Sequence, residues 1–271
     1  MTYNWSDLLY LMQRLRDPEH GCPWDKEQTL ASIVPHTLEE VYEVVDAIDK
    51  GDLPHLIEEL GDLLFQVVFY AQILADQGQG NMEQVVDGLV RKLVFRHPHV
   101  FPDGLYGSKQ QPDLSIDLHQ QWDELKAQEK ARSTQNGKSQ QNDKPSSLAD
   151  SVPLALPALQ RAYKLQKKAA KQGFDWPDIQ GPIAKIEEEL QELLAAEPDQ
   201  QQAEAGDLLF SVVNLLRKMQ IDPEQALRQA NHKFSHRFAQ VEQQANSAGG
   251  MAAHDLDALE QFWQQAKQQE S

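Results

Sequence analysis

The chain has 271 residues, a formal net charge of −17 and a single cysteine, Cys22. Such a length makes one or two domains, and such acidity repels phosphate backbones, which excludes a general nucleic-acid binder. A lone thiol excludes an internal disulfide and fits a reducing compartment. Leu, Ala, Gln, Glu and Asp are abundant and β-branched runs are few, which favours helices over sheets. The opening stretch, MTYNWSDLLYLMQRLRDPEHG, mixes acids with its apolar residues and has none of the three parts of a secretory signal. The most apolar stretch, LLFQVVFYAQILA from Leu63, is too short and too interrupted to cross a bilayer. A cytoplasmic protein with no membrane contact is expected.

In chain order, GCPWD from Gly21 comes first, then an acidic amphipathic stretch, HTLEEVYEVVDAI from His36. A short turn, DKGDLPHL, leads to ELGDLLFQVV from Glu59, and RKLVFRHPHVF follows from Arg91. Leu118 to Glu129 is the expected closing helix of this half. From Lys126 to Asp150 the chain is rich in Gln, Ser, Asn and Lys with almost no large apolar residue. It cannot bury enough surface to offset its ordering entropy, so it reads as a flexible linker. The same order of elements then recurs: GFDWP from Gly173, AKIEEELQELLAA from Ala184, EAGDLLFSVV from Glu204 and NHKFSHRF from Asn231. ELGDLLFQVV and EAGDLLFSVV are identical at 8 of 10 positions. An internal duplication is inferred, with domains at 1–125 and 150–271 and a linker at 126–149. LDALEQFWQQAK from Leu256 closes the second half.

The periodicity is helical throughout. Leu60, Leu63, Leu64, Val67, Val68 and Ala71 form one stripe, and Leu208, Leu209, Val212, Val213 and Leu216 repeat it. Pro35, Pro54, Pro98, Pro182, Pro198 and Pro223 mark expected helix boundaries. The fold class is all-α: two tandem bundles of four or five helices each.

Each half carries two carboxylate pairs at a spacing of three: Glu40/Glu43 with Glu59/Asp62, and Glu189/Glu192 with Glu204/Asp207. On a helix that spacing places both acids on one face, Cβ atoms ~5–6 Å apart. Two helices joined by a short turn pack antiparallel, so the pairs of one half can face each other. Four unpaired carboxylates beside an apolar stripe would cost several kcal/mol each, and these stretches are poor in bases. Divalent metal is the other solution. Oxygen-only ligands select hard ions, Mg²⁺ or in its place Mn²⁺, over zinc. Four acids can hold two ions ~3.5–4 Å apart, as in two-metal phosphoryl displacement. Gly61 and Gly206 cost helix stability and are expected where a neighbouring helix or a phosphate comes close. A single Glu-x-x-Glu on a helix is commonly a solvated face; the paired and duplicated pattern carries the metal reading.

These motifs, with CPWD, GFDW, HPHVF and the Lys-Phe-x-x-Arg-Phe ending, resemble the MazG family of nucleoside triphosphate pyrophosphohydrolases over nearly the whole chain except the linker. The resemblance implies an all-α NTP pyrophosphohydrolase fold related to dimeric dUTPases and to phosphoribosyl-ATP pyrophosphohydrolase. It implies a homodimer, and Mg²⁺-dependent cleavage of NTPs or dNTPs to NMP and pyrophosphate in nucleotide-pool control or stress response. Glu189, Glu192, Glu204 and Asp207 would then hold the metal, with Glu189 or Glu192 as general base. Lys233 and Arg237, four apart on one helix face, suit the leaving pyrophosphate, and Lys185 adds a further contact; each base could instead be a solvated charge. Trp263 either stacks on the nucleobase or packs in the bundle. Lys92 and Arg96 are the first-half counterparts of Lys233 and Arg237. Trp24 and Trp176 read as turn anchors, His97 and His99 as capping residues. The C-terminal domain is expected to hold the main catalytic site. Two other readings compete. A di-iron carboxylate protein needs Glu-x-x-His on two helices, and no His stands at those positions. A duplicated non-catalytic scaffold predicts no metal-linked stabilisation and no turnover.

Overall fold

The computed structural model describes residues 2–107, 109–110 and 147–269. The expected closing helix Leu118–Glu129 and most of the expected linker lie outside the described residues. The chain falls into two compact units, Met1–Gln141 and Asn142–Ser271. All regular structure among the described residues is helical.

In the first unit α1 (Trp5–Leu15) starts at a capping box: the Asn4 side chain accepts from the Ser6 N–H, and Asp7 accepts from the Asn4 N–H at 2.8 Å. A short α2 (Pro23–Glu27) precedes α3 (Leu30–Lys50), α4 (Leu53–Asp76) and α5 (Met82–Arg96). Only Gly51 and Asp52 separate α3 from α4. Gly51 takes the left-handed conformation, φ +69°, that stops α3, and Asp52 caps α4 through the His55 N–H. The chain therefore turns back at once and α4 packs along α3. Met12, Ile33, Val68, Phe69 and Ile73 form the core where α1, α3 and α4 meet.

Two expectations fail here. Pro35 lies inside α3, because that helix starts earlier, at a Thr29 capping box, than the acidic stretch suggests. The apolar stripe of α4 is not uniformly internal. Val68 and Ala71 are buried, whereas Ile57, Leu60, Leu64 and Val67, nearer its start, are exposed.

The second unit has α6 (Ala158–Lys171), α7 (Gln180–Ala195), α8 (Gln201–Lys218), α9 (Pro223–Ser247) and α10 (Leu256–Gln269). Single 3₁₀ turns stand at Ala149–Ser151 and Met251–Ala253. Pairs α7/α8 and α3/α4 correspond, α6 packs on α8 as α1 packs on α4, and α10 lies on α9. The repeat thus begins before the Gly-Trp stretches, with α1 and α6. Pro54, Pro182 and Pro223 sit in first helical turns, where no backbone N–H is needed. No helix among the described residues is long and apolar enough to cross a membrane.

Candidate functional site

The turn between α3 and α4 fixes the register of their acids. Carboxylate oxygens of Glu40, Glu43 and Glu59 lie within 4.8 Å of one another. Asp62 is outside that trio but close enough for its charge to act on Glu40 and Glu59. Glu59 is 6 % exposed. Burial first, then the charges of Asp62, Glu43 and Glu59, hold the Glu40 carboxyl above its ordinary value of 4.5. Burial, then Glu43, raises Glu59 as well, and His55 Nδ1, 3.2 Å from Glu59 Oε1, partly offsets it. Gln66 donates a long hydrogen bond, 3.4 Å, to Glu40.

The second unit repeats the arrangement with a different trio. Oxygens of Glu189, Glu204 and Asp207 lie within 4.8 Å of one another, and Glu189 is 5 % exposed. Glu192 stands outside the trio, its pKa raised by burial and then by Glu189. Lys185 ion-pairs with Glu188 at 2.8 Å and with Glu189 at 2.6 Å, contacts that hold the ammonium firmly charged. Both clusters are oxygen-only and crowded with like charge, which fits a hard divalent cation. A Cβ on Gly61 or Gly206 would meet nothing within 4 Å. No neighbouring helix approaches either glycine among the described residues, which leaves the space beside Asp62 and Asp207 open.

One feature separates the two clusters. In the second unit Glu189, Asp207 and Lys185 form part of the wall of a cavity of about 850 Å³, a size suited to a small organic ligand. Leu165, Phe174, Trp176 and Phe210 supply its apolar surface. Its rim is braced by Asp175, which accepts from Arg217 and Lys218, while Lys218 also donates to the Trp176 carbonyl. The corresponding part of the first unit is packed. Phe69 stands where the second copy has Asn214 and is fully buried; Trp24 meets it edge-on at 6.4 Å, and the Arg16 guanidinium lies over its ring at 5.4 Å.

Arg237 and Trp263 meet at the α9/α10 contact, and Lys233 lies one turn before Arg237 on α9. Trp263 packs on Phe234, 5.3 Å between ring centroids, and the Arg237 guanidinium lies 5.9 Å from its ring. None of the three is among the residues that line the cavity. Lys92 and Arg96 lie one turn apart near the end of α5, where His97 Nδ1 contacts the Leu93 carbonyl at 2.6 Å. His99 is buried beside His97, ring centroids 5.5 Å apart.

Residues 28–101 match the MazG nucleotide pyrophosphohydrolase domain model, and residues 156–234 match that of phosphoribosyl-ATP pyrophosphohydrolase. A nucleoside triphosphate pyrophosphohydrolase of Escherichia coli K12 is 44 % identical over 270 residues, 97 % of either chain. The chain belongs to the MazG family. It is thereby a hydrolase of phosphorus-containing anhydrides. A second relative, the nucleoside triphosphate pyrophosphohydrolase/pyrophosphatase MazG of Thermotoga maritima, is 42 % identical over 97 % of this chain and 95 % of its own. YabN of Bacillus subtilis, an uncharacterized protein, is 41 % identical over the whole of this chain, which spans 53 % of it.

The carboxylates were visible in the sequence; the cavity was not. Gln166, Asn214 and Arg217 lie outside every motif, and Asp175 and Ser211 lie within GFDWP and EAGDLLFSVV with nothing to single them out. The signal that could have found them is the difference between the copies. Gln66, Phe69 and Gln72 of the first become Ser211, Asn214 and Arg217 in the second, which trades core bulk for smaller or polar groups on one helix.

Proposed function

We propose that the C-terminal unit hydrolyses nucleoside triphosphates, ribo- or deoxyribo-, to the monophosphate and pyrophosphate with Mg²⁺, or Mn²⁺ in its place. The observation that carries this reading is the wall shared between the Glu189/Asp207 carboxylates and a nucleoside-sized cavity. Glu189, Glu204 and Asp207, with Glu192 beside them, would hold the metal, and Glu40, Glu43, Glu59 and Asp62 are the equivalent set in the first unit. When bound, the ion polarises the α-phosphate and acidifies water. The water oxygen then bonds to the α-phosphorus, the bond to the bridging oxygen breaks, and pyrophosphate leaves. Of the two candidate bases, Glu189 belongs to the three-oxygen cluster and is tied to Lys185, whereas Glu192 is outside it with a raised pKa. Glu192 therefore suits acceptance of the water's proton. Lys185 holds Glu189 in place and becomes available to phosphate oxygens when a cation replaces it there.

Lys233 and Arg237 are proposed to neutralise the leaving pyrophosphate, with Arg237 steadied against Trp263. Lys92 and Arg96 are proposed as their equivalents in the first unit. The base is assigned to the cavity rather than to Trp263, whose ring already packs on Phe234. The domains are proposed at 1–125 and 150–271, separated by a flexible linker at 126–149. A homodimer is proposed through the exposed apolar half of α4, which otherwise leaves Ile57, Leu60, Leu64 and Val67 in water. A cytoplasmic enzyme of nucleotide-pool control or stress response is proposed, and the net charge of −17 supports its not binding nucleic acid.

The deciding experiment is product analysis of each NTP and dNTP with Mg²⁺. NMP and pyrophosphate, lost in chelator and in Glu204→Gln, are expected. Formation of NDP and phosphate would overturn the site of attack.

A further inference from the structure

The cavity of the second unit has a mostly apolar surface edged by polar and charged side chains, and two of these have their orientation fixed by chemistry. Gln166 is 7 % exposed, and its amide nitrogen donates to the Phe210 carbonyl at 2.8 Å. A carbonyl can only accept, so the amide cannot be reversed, and Oε1 must be the group left over. That oxygen is buried without a hydrogen-bond partner. A buried acceptor left unmatched is costly and calls for an explanation. Asn214 is fixed in the opposite sense. Its Oδ1 accepts from Arg217 Nε at 2.9 Å. A guanidinium can only donate, so the Asn214 NH₂ is the group free to face a ligand. Gln166, Glu189 and Ser211 are the buried members of the lining, whereas Phe174, Trp176 and Phe210 are its exposed aromatic members. Gln166 thus belongs to the inner part of the cavity, the half-buried Asn214 to its flank and the aromatic rings to its mouth.

We propose that Gln166 Oε1 and the Asn214 NH₂ read the hydrogen-bonding edge of the nucleobase, and that they require a donor next to an acceptor there. Adenine offers N6–H₂ beside N1, cytosine N4–H₂ beside N3, uracil N3–H beside O4, and guanine N1–H beside O6. One acceptor and one donor in the cavity can match all four, while a base edge without a donor leaves Gln166 Oε1 as unmatched as before. The enzyme is thereby tolerant among natural bases yet dependent on the base. Sites built to hydrogen-bond a substrate reject analogues that lack the group. The duplicate copy supports the assignment. It carries Phe69 in place of Asn214 and is packed at that point, so the cavity and Asn214 occur together. This inference rests on the proposed triphosphate substrate for what the base is attached to.

The test compares ATP with purine riboside triphosphate, which keeps N1 and lacks the amine, and ATP with GTP, by kcat/KM. The same comparisons are made by calorimetric Kd with adenosine, purine riboside and guanosine, which needs no turnover. Wild type should favour the adenine compounds over purine riboside by about tenfold or more, and Gln166→Leu should reduce this to about threefold or less. Asn214→Asp keeps the bond from Arg217 but turns the donor into an acceptor. Two acceptors match guanine N1–H and N2–H₂ alone, so the guanine-to-adenine ratio should rise by about tenfold. Unfolding of Gln166→Leu would leave Asn214→Asp to decide. Turnover with ratios unchanged in both variants overturns the base-edge assignment and leaves the hydrolase reading intact. Nucleoside Kd ratios that shift as stated without any turnover support the base site and overturn the triphosphate reading instead.

Discussion

At the scale of single residues, Asp175 shows how much a site depends on charges that do no chemistry. Its carboxylate accepts from Arg217 first and Lys218 second, and these bonds hold it below its ordinary value of 3.8. Both cations are largely buried, with side-chain exposures of 10 % and 15 %. Removing the acid leaves two cations without their partner at the cavity rim. Asp175→Asn should cost about 1–3 kcal/mol at neutral pH. The sign with pH follows from the lowered pKa. The folded state binds the proton less readily than the unfolded chain, so the stabilisation is complete above the unfolded value and is lost as pH falls through the folded one. Urea denaturation of wild type and Asp175→Asn should therefore show a gap that is full at neutral pH and closes in acid. A gap of the same size throughout would mean that the carboxylate contributes shape and not charge. Nothing in the stretch GFDWP announces this role, because the partners are 42 and 43 residues away in sequence.

At the scale of elements, what could be read from the sequence was what is local. The helices from His36, Glu59, Ala184, Glu204 and Leu256 follow from spacing, and the carboxylates come with them since their geometry is that of one helix face. What could not be read depends on contacts between elements. Met12 is a core residue only because α1 lies on α4. Half of the α4 stripe is exposed although its periodicity is the same as that of the buried half. Two glycines carry predictions of this kind. A Cβ on Gly181, in the first turn of α7, would come within 2.1 Å of the Trp176 ring. Gly181→Ala must push that indole away, so nucleotide KM should rise by about tenfold with little change in secondary structure by circular dichroism. Unaltered KM would show that Trp176 does not touch the substrate. Gly206 has open space around it instead, and helix propensity alone makes Gly206→Ala more stable by ~0.5–1 kcal/mol. With no packing reason for the glycine, its use must lie in the approach of the substrate beside Asp207. The variant should gain thermal stability and lose kcat. A gain in stability with full activity would remove the glycine from the site.

At the scale of the whole molecule, the duplication gives two carboxylate clusters, and the second of them borders a nucleoside-sized cavity while Phe69 fills the matching place beside the first. The clusters should therefore respond alike to metal and differently to substrate. Burial and mutual repulsion raise the pKa of Glu40, Glu59 and Glu192 above the ordinary 4.5. A raised carboxyl pKa means that the metal-free fold holds protons the unfolded chain has already released. Its contribution to stability is complete below the ordinary value and is lost as pH rises through the raised one. A divalent cation takes over where the protons leave. The gain in Tm on adding Mg²⁺ should thus be small near pH ~4.5 and large near pH ~7.5. Glu59→Gln and Glu204→Gln should each diminish it. Turnover should separate them. Glu204→Gln should lose at least about 100-fold in kcat/KM, more than outer-shell changes at metal sites cost. Glu40→Gln, which alters a cluster with Phe69 packed in the place of Asn214, should stay within about twofold of wild type while losing part of the Mg²⁺-linked gain in Tm. If Glu40→Gln is as inactive as Glu204→Gln, the first unit is a second catalytic centre and the packed Phe69 is no barrier to a nucleoside. If it loses activity only in proportion to stability, the first copy has kept the ion-binding half of the site and given up the half that holds the base.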